Sequence, residues 1–355
     1  MVNSTEIIPV DQPYRCKSYF RWNSHSKDLL NQSETILLSN VKVPFDTFYI
    51  QIGECVGDND EIWTLSANTD CKNTPIVLVH GFAAALGFWL QNLDHLAENH
   101  PVYAIDLLGF GKSSRPEFAD DADEIESQFC NSIEEWRKAM QIEKMILLGH
   151  SFGGFLSTSY AMKYEENIEH LILADPWGFT EKPDLSNRPY WQRSVIKVFG
   201  KVPPLGILRV AGPWGQWLIE KMRRDIMRKY ENIVDDPKVV ATYIHQCNTD
   251  NPTGEHAFKR LLHGGPWAKN PMVDRFKESF PTEIPVTFLY GAISWMNNTY
   301  GESIKESRSN SYTHIEHIEN AGHHVYADNA EDFNRSVLNA CKILKSHGNE
   351  SRNKQ

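Results

Sequence analysis

No stretch of this 355-residue chain approaches the roughly 20 consecutive apolar residues that span a bilayer, so any contact with lipid is peripheral. The first 30 residues lack the apolar run of about 7 to 15 residues that marks a secretory signal. Cysteine is sparse: Cys16, Cys55, Cys71, Cys130, Cys247 and Cys341 are scattered, with no C-x-x-C pair and no metal-ligand spacing. A reduced, cytoplasmic setting without a metal is expected, and sequons such as Asn297-Asn298-Thr299 read as chance matches. Positive charge is also in deficit. A formal net charge of -10 argues against attachment to nucleic acid, whose phosphates need a basic face. The G-x-G-x-x-G spacing is absent, so the glycine-rich stretch Asp106 to Ser114 shapes a loop and implies no cofactor.

What the chain does have is enough apolar content, 41%, to bury a full core and still carry an insertion. Short apolar runs at Ile76–Val79, Val102–Ile105, Met145–Leu148, Leu171–Ala174 and Pro285–Tyr290 alternate with helical stretches such as Ile133–Met140 and Phe152–Tyr164. Continuous apolar strands separated by helices predict an α/β fold with a mostly parallel sheet covered on both faces. The pattern stops near Pro183, so residues 184–272 are read as an inserted cap between a first core part, 45–183, and a second, 273–347. Residues 1–44 are read as a poorly structured arm that either touches lipid or packs on the core through a few aromatics, and 348–355 as a polar tail.

Aromatic residues concentrate outside the core pattern. Tyr14, Tyr19, Phe20 and Trp22 lie in the arm, and five of the ten tryptophans, Trp177, Trp191, Trp214, Trp217 and Trp267, sit at or near the cap. In one cap segment Trp214, Trp217, Leu218, Met222 and Ile226 recur at helical spacing, with Lys221, Arg224 and Arg228 on other faces. Such a helix either lies on an anionic lipid surface or packs its stripe inward.

The chemistry centres on Gly149-His150-Ser151-Phe152-Gly153, directly after the run Met145–Leu148. A G-x-S-x-G turn from strand to helix strains the backbone and lifts the serine hydroxyl toward substrate. Acyl transfer at Ser151 needs a base, a group to orient the base, and N–H donors for the oxyanion. His323, after Ala321-Gly322 at the end of the last strand, is the candidate base. The donors are the backbone N–H groups of Phe152 and Phe82, the latter in His80-Gly81-Phe82-Ala83-Ala84.

The orienting acid is less plain. The turn after Tyr290 carries no carboxylate. Its Asn297 can hold an imidazole but cannot stabilise an imidazolium by charge, a substitution that lowers kcat about 10⁴-fold in chymotrypsin-type sites. Asp175, in Ala174-Asp175-Pro176, is a candidate substitute, or else a turn residue before proline. Asp328, five residues after His323, either helps activate the base or stabilises a helix N-terminus.

The strings DLLGFGKSS followed by Arg115-Pro116, Ser132–Arg137 (SIEEWR), KMILLGHSFGGF, HLILADPWGF, Gly254–Lys259 (GEHAFK) and AGHHVYAD cover the chain from about 60 to 345. On them the chain resembles the α/β-hydrolase-domain subfamily that includes the coactivator of adipose triglyceride lipase and its sister phospholipase acting on N-acyl phospholipids. The resemblance implies an α/β-hydrolase fold and action on lysophospholipids or N-acyl phospholipids. It also implies acyl transfer to lysophosphatidic acid tied to the H-x-x-x-x-D motif of His323 and Asp328, and recruitment of a triglyceride lipase to lipid droplets. Members that are mainly coactivators have asparagine where Ser151 stands. The family's triad aspartate falls at Asn297, and an arginine of the coactivators falls at Ile293; their arm is rich in tryptophan, whereas here only Trp22 precedes Trp63. The leading expectation is a serine hydrolase or acyltransferase working at a droplet or membrane surface. Its rival, favoured by Asn297, is a catalytically weak scaffold for a triglyceride lipase.

Overall fold

The computed structural model describes residues 25–183, 203 and 205–352, with side chains to Lys342. Tyr14, Tyr19, Phe20, Trp22 and Trp191 lie outside the described residues. The first core part runs α1 (Lys27–Leu38), β1 (Phe45–Gly53), β2 (Asp60–Ala67), β3 (Ile76–Val79), α2 (Leu90–Leu96), β4 (Val102–Ile105), α3 (Ala122–Ala139), β5 (Met145–His150), α4 (Phe152–Lys163) and β6 (Ile168–Ala174). Helices α5 (Gly206–Ala211), α6 (Gly215–Met222), α7 (Arg224–Tyr230), α8 (Lys238–Thr249), α9 (Thr253–Leu261) and α10 (Met272–Ser279) follow. The chain then returns through β7 (Val286–Gly291), α11 (Thr299–Ser307), β8 (Thr313–Ile318), α12 (Val325–Asp328) and α13 (Ala330–Arg352).

The strands form one sheet in the order β1-β2-β4-β3-β5-β6-β7-β8. The pairs β1/β2 and β2/β4 are antiparallel, and every later neighbour is parallel. Alternate residues feed two cores. Ile76, Leu78, Ile146 and Leu148 face one cluster with α2 and α13, while Val77, Val79, Met145 and Leu147 face the other with α3 and α4. Burial on both faces is why these strands read as unbroken apolar runs. Helix α3 starts eleven residues before the expected Ile133, because Asp121 caps it by accepting from the N–H groups of Asp123 and Glu124. Its Ile125, Phe129, Ile133 and Trp136 form the buried stripe. Burying a side chain such as Phe129 stabilises the fold by roughly 1.5 to 3 kcal/mol.

Three expectations need correction. Residues 27–38 of the arm are helical and packed: Ser26 caps α1, and Leu30, Leu37 and Leu38 are buried. Inside the core, Glu34 accepts from Trp63 Nε1 at 2.9 Å, Lys112 Nζ at 2.6 Å and Tyr243 OH at 3.0 Å. Residues 348–352 of the tail are helical too, as the end of α13. The cap stripe is broken at Arg223 (φ -118°, ψ 43°), which separates α6 from α7. Gly215 packs so closely on His245 that a Cβ there would lie 2.3 Å from Nε2, which sets the inward face of α6 at Gly215 and Ile219. Ile226 and Tyr230 continue inward, whereas Trp214, Trp217 and Met222 are turned to solvent with Ile207 and Val210. Among the described residues no helix is long and apolar enough to cross a membrane.

Burial holds His80 and His245 down at about 4 and His170 at about 3, and pushes His150 and His324 well below the ordinary histidine range. Each of these rings takes its proton in the unfolded chain first. The stability they confer is therefore complete above about pH 6.5 and lost as pH falls toward their folded values. Asp106, raised to about 6 by burial, works the other way and offsets part of the loss between 6 and its ordinary 3.8. The urea midpoint is expected to fall as pH is lowered from 7 to 5, each buried histidine contributing up to about 1.4 kcal/mol per pH unit. A midpoint that stays flat across that range contradicts the neutral assignments.

Candidate active site

Strand β5 ends at His150, and α4 begins at Phe152, leaving Ser151 alone in the turn with φ 52° and ψ -116°. A non-glycine residue there is strained, and the surroundings hold it. A Cβ on Gly149 would lie 2.4 Å from the Gly153 carbonyl oxygen, and one on Gly153 would lie 2.4 Å from that of Val79. The glycines of the motif are thus required by close approach of backbone to backbone.

The sheet order sets the carboxyl ends of β5, β6, β7 and β8 side by side, and each end supplies one group. Ser151 follows β5, Asp175 follows β6, Ser294 lies in the turn after β7, and His323 lies in the loop after β8. His323 Nε2 is 3.0 Å from Ser151 Oγ, and His323 Nδ1 is 2.6 Å from Asp175 Oδ2. Asp175 is fully buried. Its backbone N–H donates to the Leu289 carbonyl at 2.8 Å, and Ser294 Oγ donates to its Oδ2 at 2.6 Å. The carboxylate is held from β7 while it faces the imidazole.

His150 ties the candidate base, His323, to the elbow. Its Nε2 lies 2.8 Å from the His323 carbonyl oxygen, and because a carbonyl can only accept, Nε2 carries the proton. Burial first, and then the neighbouring His323, keep the His150 ring neutral. His324 lines the cavity and makes no hydrogen bond to Ser151 or Asp175.

The candidate oxyanion donors, the N–H groups of Phe152 and Phe82, belong to residues at the elbow and in the cavity wall beside it. Phe152 is the first residue of α4, so its N–H has no partner within the helix. No acceptor among the described residues takes it or the N–H of Phe82. A Cβ on Gly81 would lie 3.0 Å from Ser151 Cβ, so the turn after β3 touches the elbow. Asp106 serves the fold here, accepting from the N–H groups of Leu86 and Lys112 at 2.7 and 2.8 Å.

Two site expectations are overturned. Asn297 is exposed, and its Oδ1 accepts from Thr299 N at 3.0 Å and Thr299 Oγ1 at 2.8 Å at the start of α11. Committed to that turn, it does not orient His323. Asp328 ends α12, and it does not begin a helix. Its Oδ2 accepts from Gly322 N at 2.9 Å and its Oδ1 pairs with Lys229 at 2.6 Å, so it fixes the loop that carries the base and makes no bond to the imidazole. Ser294 and His150 were missed as positioning residues. The only signal for Ser294 was its place after β7, where an acid was sought and a hydroxyl stood.

Ser151 opens into a cavity of about 910 Å³, within the range of ligand pockets. Phe82, Trp177, Phe258, Leu262 and Trp295 make most of its lining apolar. A second cavity of about 200 Å³, lined by Phe88, Leu208, Ile219, Ile226 and Tyr230, shares Phe82, Leu205 and His324 with it. Among the described residues no group of three or more His, Cys, Asp or Glu side chains is set to hold a metal ion.

Comparison with known proteins agrees with this architecture. Residues 74–330 match the sequence model described as the alpha/beta hydrolase fold. The human protein named 1-acylglycerol-3-phosphate O-acyltransferase ABHD5 is 45% identical over 294 residues, covering 81% of this chain and 84% of that one. The mouse (Lyso)-N-acylphosphatidylethanolamine lipase is 43% identical over 292 residues, covering 81% and 85%. Among solved structures, naproxen esterase from Bacillus subtilis superposes with a TM-score of 0.60 at 16% identity, covering 88% of this chain and 96% of that one. A bacterial membrane phospholipase A superposes with a TM-score of 0.57 at 20% identity, covering 90% and 92%. At those identities the structures show the fold alone, but with the matched span and the two sequence relatives, the chain belongs to the α/β-hydrolase family, in the group that holds those relatives.

Proposed function

We propose that this protein is a lipid-metabolic serine hydrolase or acyltransferase, acting on lysophospholipids, N-acyl phospholipids or related acyl esters at a droplet or membrane surface. The observation that carries the reading is the continuous chain Asp175–His323–Ser151, with links of 2.6 and 3.0 Å. In it, His323 Nε2 takes the Ser151 proton as Oγ attacks the ester carbonyl, and Asp175 stabilises the imidazolium from Nδ1. The N–H groups of Phe82 and Phe152 receive the oxyanion. His323 then returns the proton to the departing alcohol, leaving an acyl group on Ser151. Water, or the hydroxyl of a second lipid, completes the cycle. The names of the two relatives supply the lipid classes, and the apolar cavity suits an acyl chain.

The rival reading, a weak scaffold that recruits a triglyceride lipase, drew its support from Asn297; an acid at Asp175 takes that support away. A fluorophosphonate probe tests the enzyme: labelling and lysophospholipid turnover that both vanish in Ser151→Ala support it, and an unlabelled wild type sinks it.

Attachment to lipid is read from the cap. Ile207, Val210, Trp214, Trp217 and Met222 are exposed, with exposed Lys221, Arg224 and Arg228 on the same stretch. Apolar side chains rimmed by cations suit a surface of anionic lipid. The double variant Trp214→Asp/Trp217→Asp is expected to lose at least about 10-fold in affinity for phosphatidylserine-containing vesicles in a sedimentation assay, with fluorophosphonate labelling in solution retained. Unchanged sedimentation would place the lipid contact elsewhere.

A further inference from the structure

The break between α6 and α7 sets charged side chains in the wall of the catalytic cavity, where the rest of the lining is largely apolar. Arg223, at the break, and Asp225, in the first turn of α7, form a two-bond ion pair with Nε–Oδ1 at 3.0 Å and an N–O link at 2.9 Å. Lys229, one turn on, pairs with Asp328 at 2.6 Å. All four residues line the cavity that holds Ser151. Both cations also act on the ring of His324, which lies in the same wall, so the two pairs share one neighbourhood.

The pairs differ in exposure. Arg223 and Asp225 are 46% and 55% exposed, whereas Lys229 and Asp328 are 11% and 17% exposed. An exposed pair of this kind holds weakly and exchanges readily for an incoming partner. The inner pair is also fixed from the other side, because Asp328 Oδ2 accepts from Gly322 N. The wall therefore carries two positive and two negative charges. It is not the surplus of cations that a phosphate monoester, bearing close to two negative charges, would need.

We propose that Arg223, Asp225, Lys229 and Asp328 form a charge-balanced headgroup subsite, selecting lysolipids whose headgroup carries a phosphate and an ammonium together. This rests on the reading of the cavity as a lipid-ester site and narrows its substrates to lysophospholipids with a free ammonium, setting aside N-acyl phospholipids, whose nitrogen is an uncharged amide. The phosphate exchanges onto the Arg223 guanidinium, within the field of Lys229, and the ammonium onto the Asp225 carboxylate. Neither charge of the outer pair is then left alone. A phosphate monoester offers Arg223 a partner but strands Asp225 beside added negative charge, which is repulsive at these distances.

Binding is measured on the full chain with Ser151→Ala, so that turnover plays no part. Three lipids of one short acyl chain, kept below their micelle concentrations, are titrated: lysophosphatidylcholine, lysophosphatidate and monoacylglycerol. Tryptophan fluorescence reports occupancy, since Trp177 and Trp295 line the cavity. Lysophosphatidylcholine is expected to bind at least about 10-fold more tightly than lysophosphatidate. Adding Asp225→Asn should shrink that ratio to near one by strengthening lysophosphatidate. Adding Arg223→Gln should bring lysophosphatidylcholine to the level of monoacylglycerol. Both side chains are exposed, so these variants keep the fold. Equal binding of the three lipids, tighter binding of lysophosphatidate, or a ratio unmoved by Asp225→Asn overturns the subsite alone. Binding of none of the three overturns it together with the lipid reading of the cavity.

Discussion

Asp175→Asn is expected to lower kcat for lysophospholipid hydrolysis by about 10³ to 10⁴, the loss seen when a triad acid becomes its amide. Asn297→Ala is expected to leave kcat within about two-fold, as surface changes away from a site do. The contrast follows from contacts. Asp175 Oδ2 lies 2.6 Å from His323 Nδ1, while Asn297 Oδ1 is taken by Thr299. The asparagine at 175 keeps the side-chain shape, and it tolerates the positive φ of 45° found there better than most residues. What it loses is the charge opposite the imidazolium, and its amide N–H₂ can turn the imidazole to the wrong tautomer. Folding of the variant is checked by its urea midpoint. Equal kinetics for Asp175→Asn and wild type would remove Asp175 from the site.

Ser151→Ala carries the largest loss, about 10⁶-fold in kcat, because base and acid have nothing left to activate once the nucleophile is gone. The hydroxyl lies on a turn whose backbone is held by Gly149 and Gly153, and an alanine fits the same φ and ψ no worse than serine does. The variant should therefore fold and still bind lipid. A small residual rate over water is expected from the two N–H donors at Phe82 and Phe152, which the substitution leaves in place. Hydrolysis that survives at a tenth of the wild-type rate would mean that another nucleophile is at work.

The parts of this site that could be read from the chain are those with local signatures. The elbow needs glycines at fixed offsets, and the strands are buried on both faces, so Ser151, Phe152 and the parallel sheet are written in contiguous residues. His323 was legible because Ala321-Gly322 opens a loop at the end of the last strand. The acid was legible only as a candidate, with a turn residue as the other reading, since its partner lies 148 positions away and its strand end offers only Ala-Asp-Pro. Asp175 becomes distinctive only when β6 is seen between β5 and β7.

Other misreadings share a cause. In the cap, helical spacing placed Trp214 and Ile226 on one stripe, but the break at Arg223 and the close seat of Gly215 on His245 turn them to different sides. In the arm, the polar look of α1 hid Glu34, whose three donors come from β2, the loop after β4, and α8. Asp328 gave a spacing to His323 without a direction. In each case the deciding contact is long-range, and a linear pattern does not hold it.

The most direct test is active-site titration of the wild type, Asp175→Asn and Asn297→Ala with a fluorophosphonate, the adduct being located by mass spectrometry. One label per chain on Ser151 is expected, formed at similar rates in the wild type and Asn297→Ala and at least about 10³-fold more slowly in Asp175→Asn. Absence of label on Ser151, or equal labelling rates for Asp175→Asn and wild type, would contradict a serine charged through His323 by Asp175.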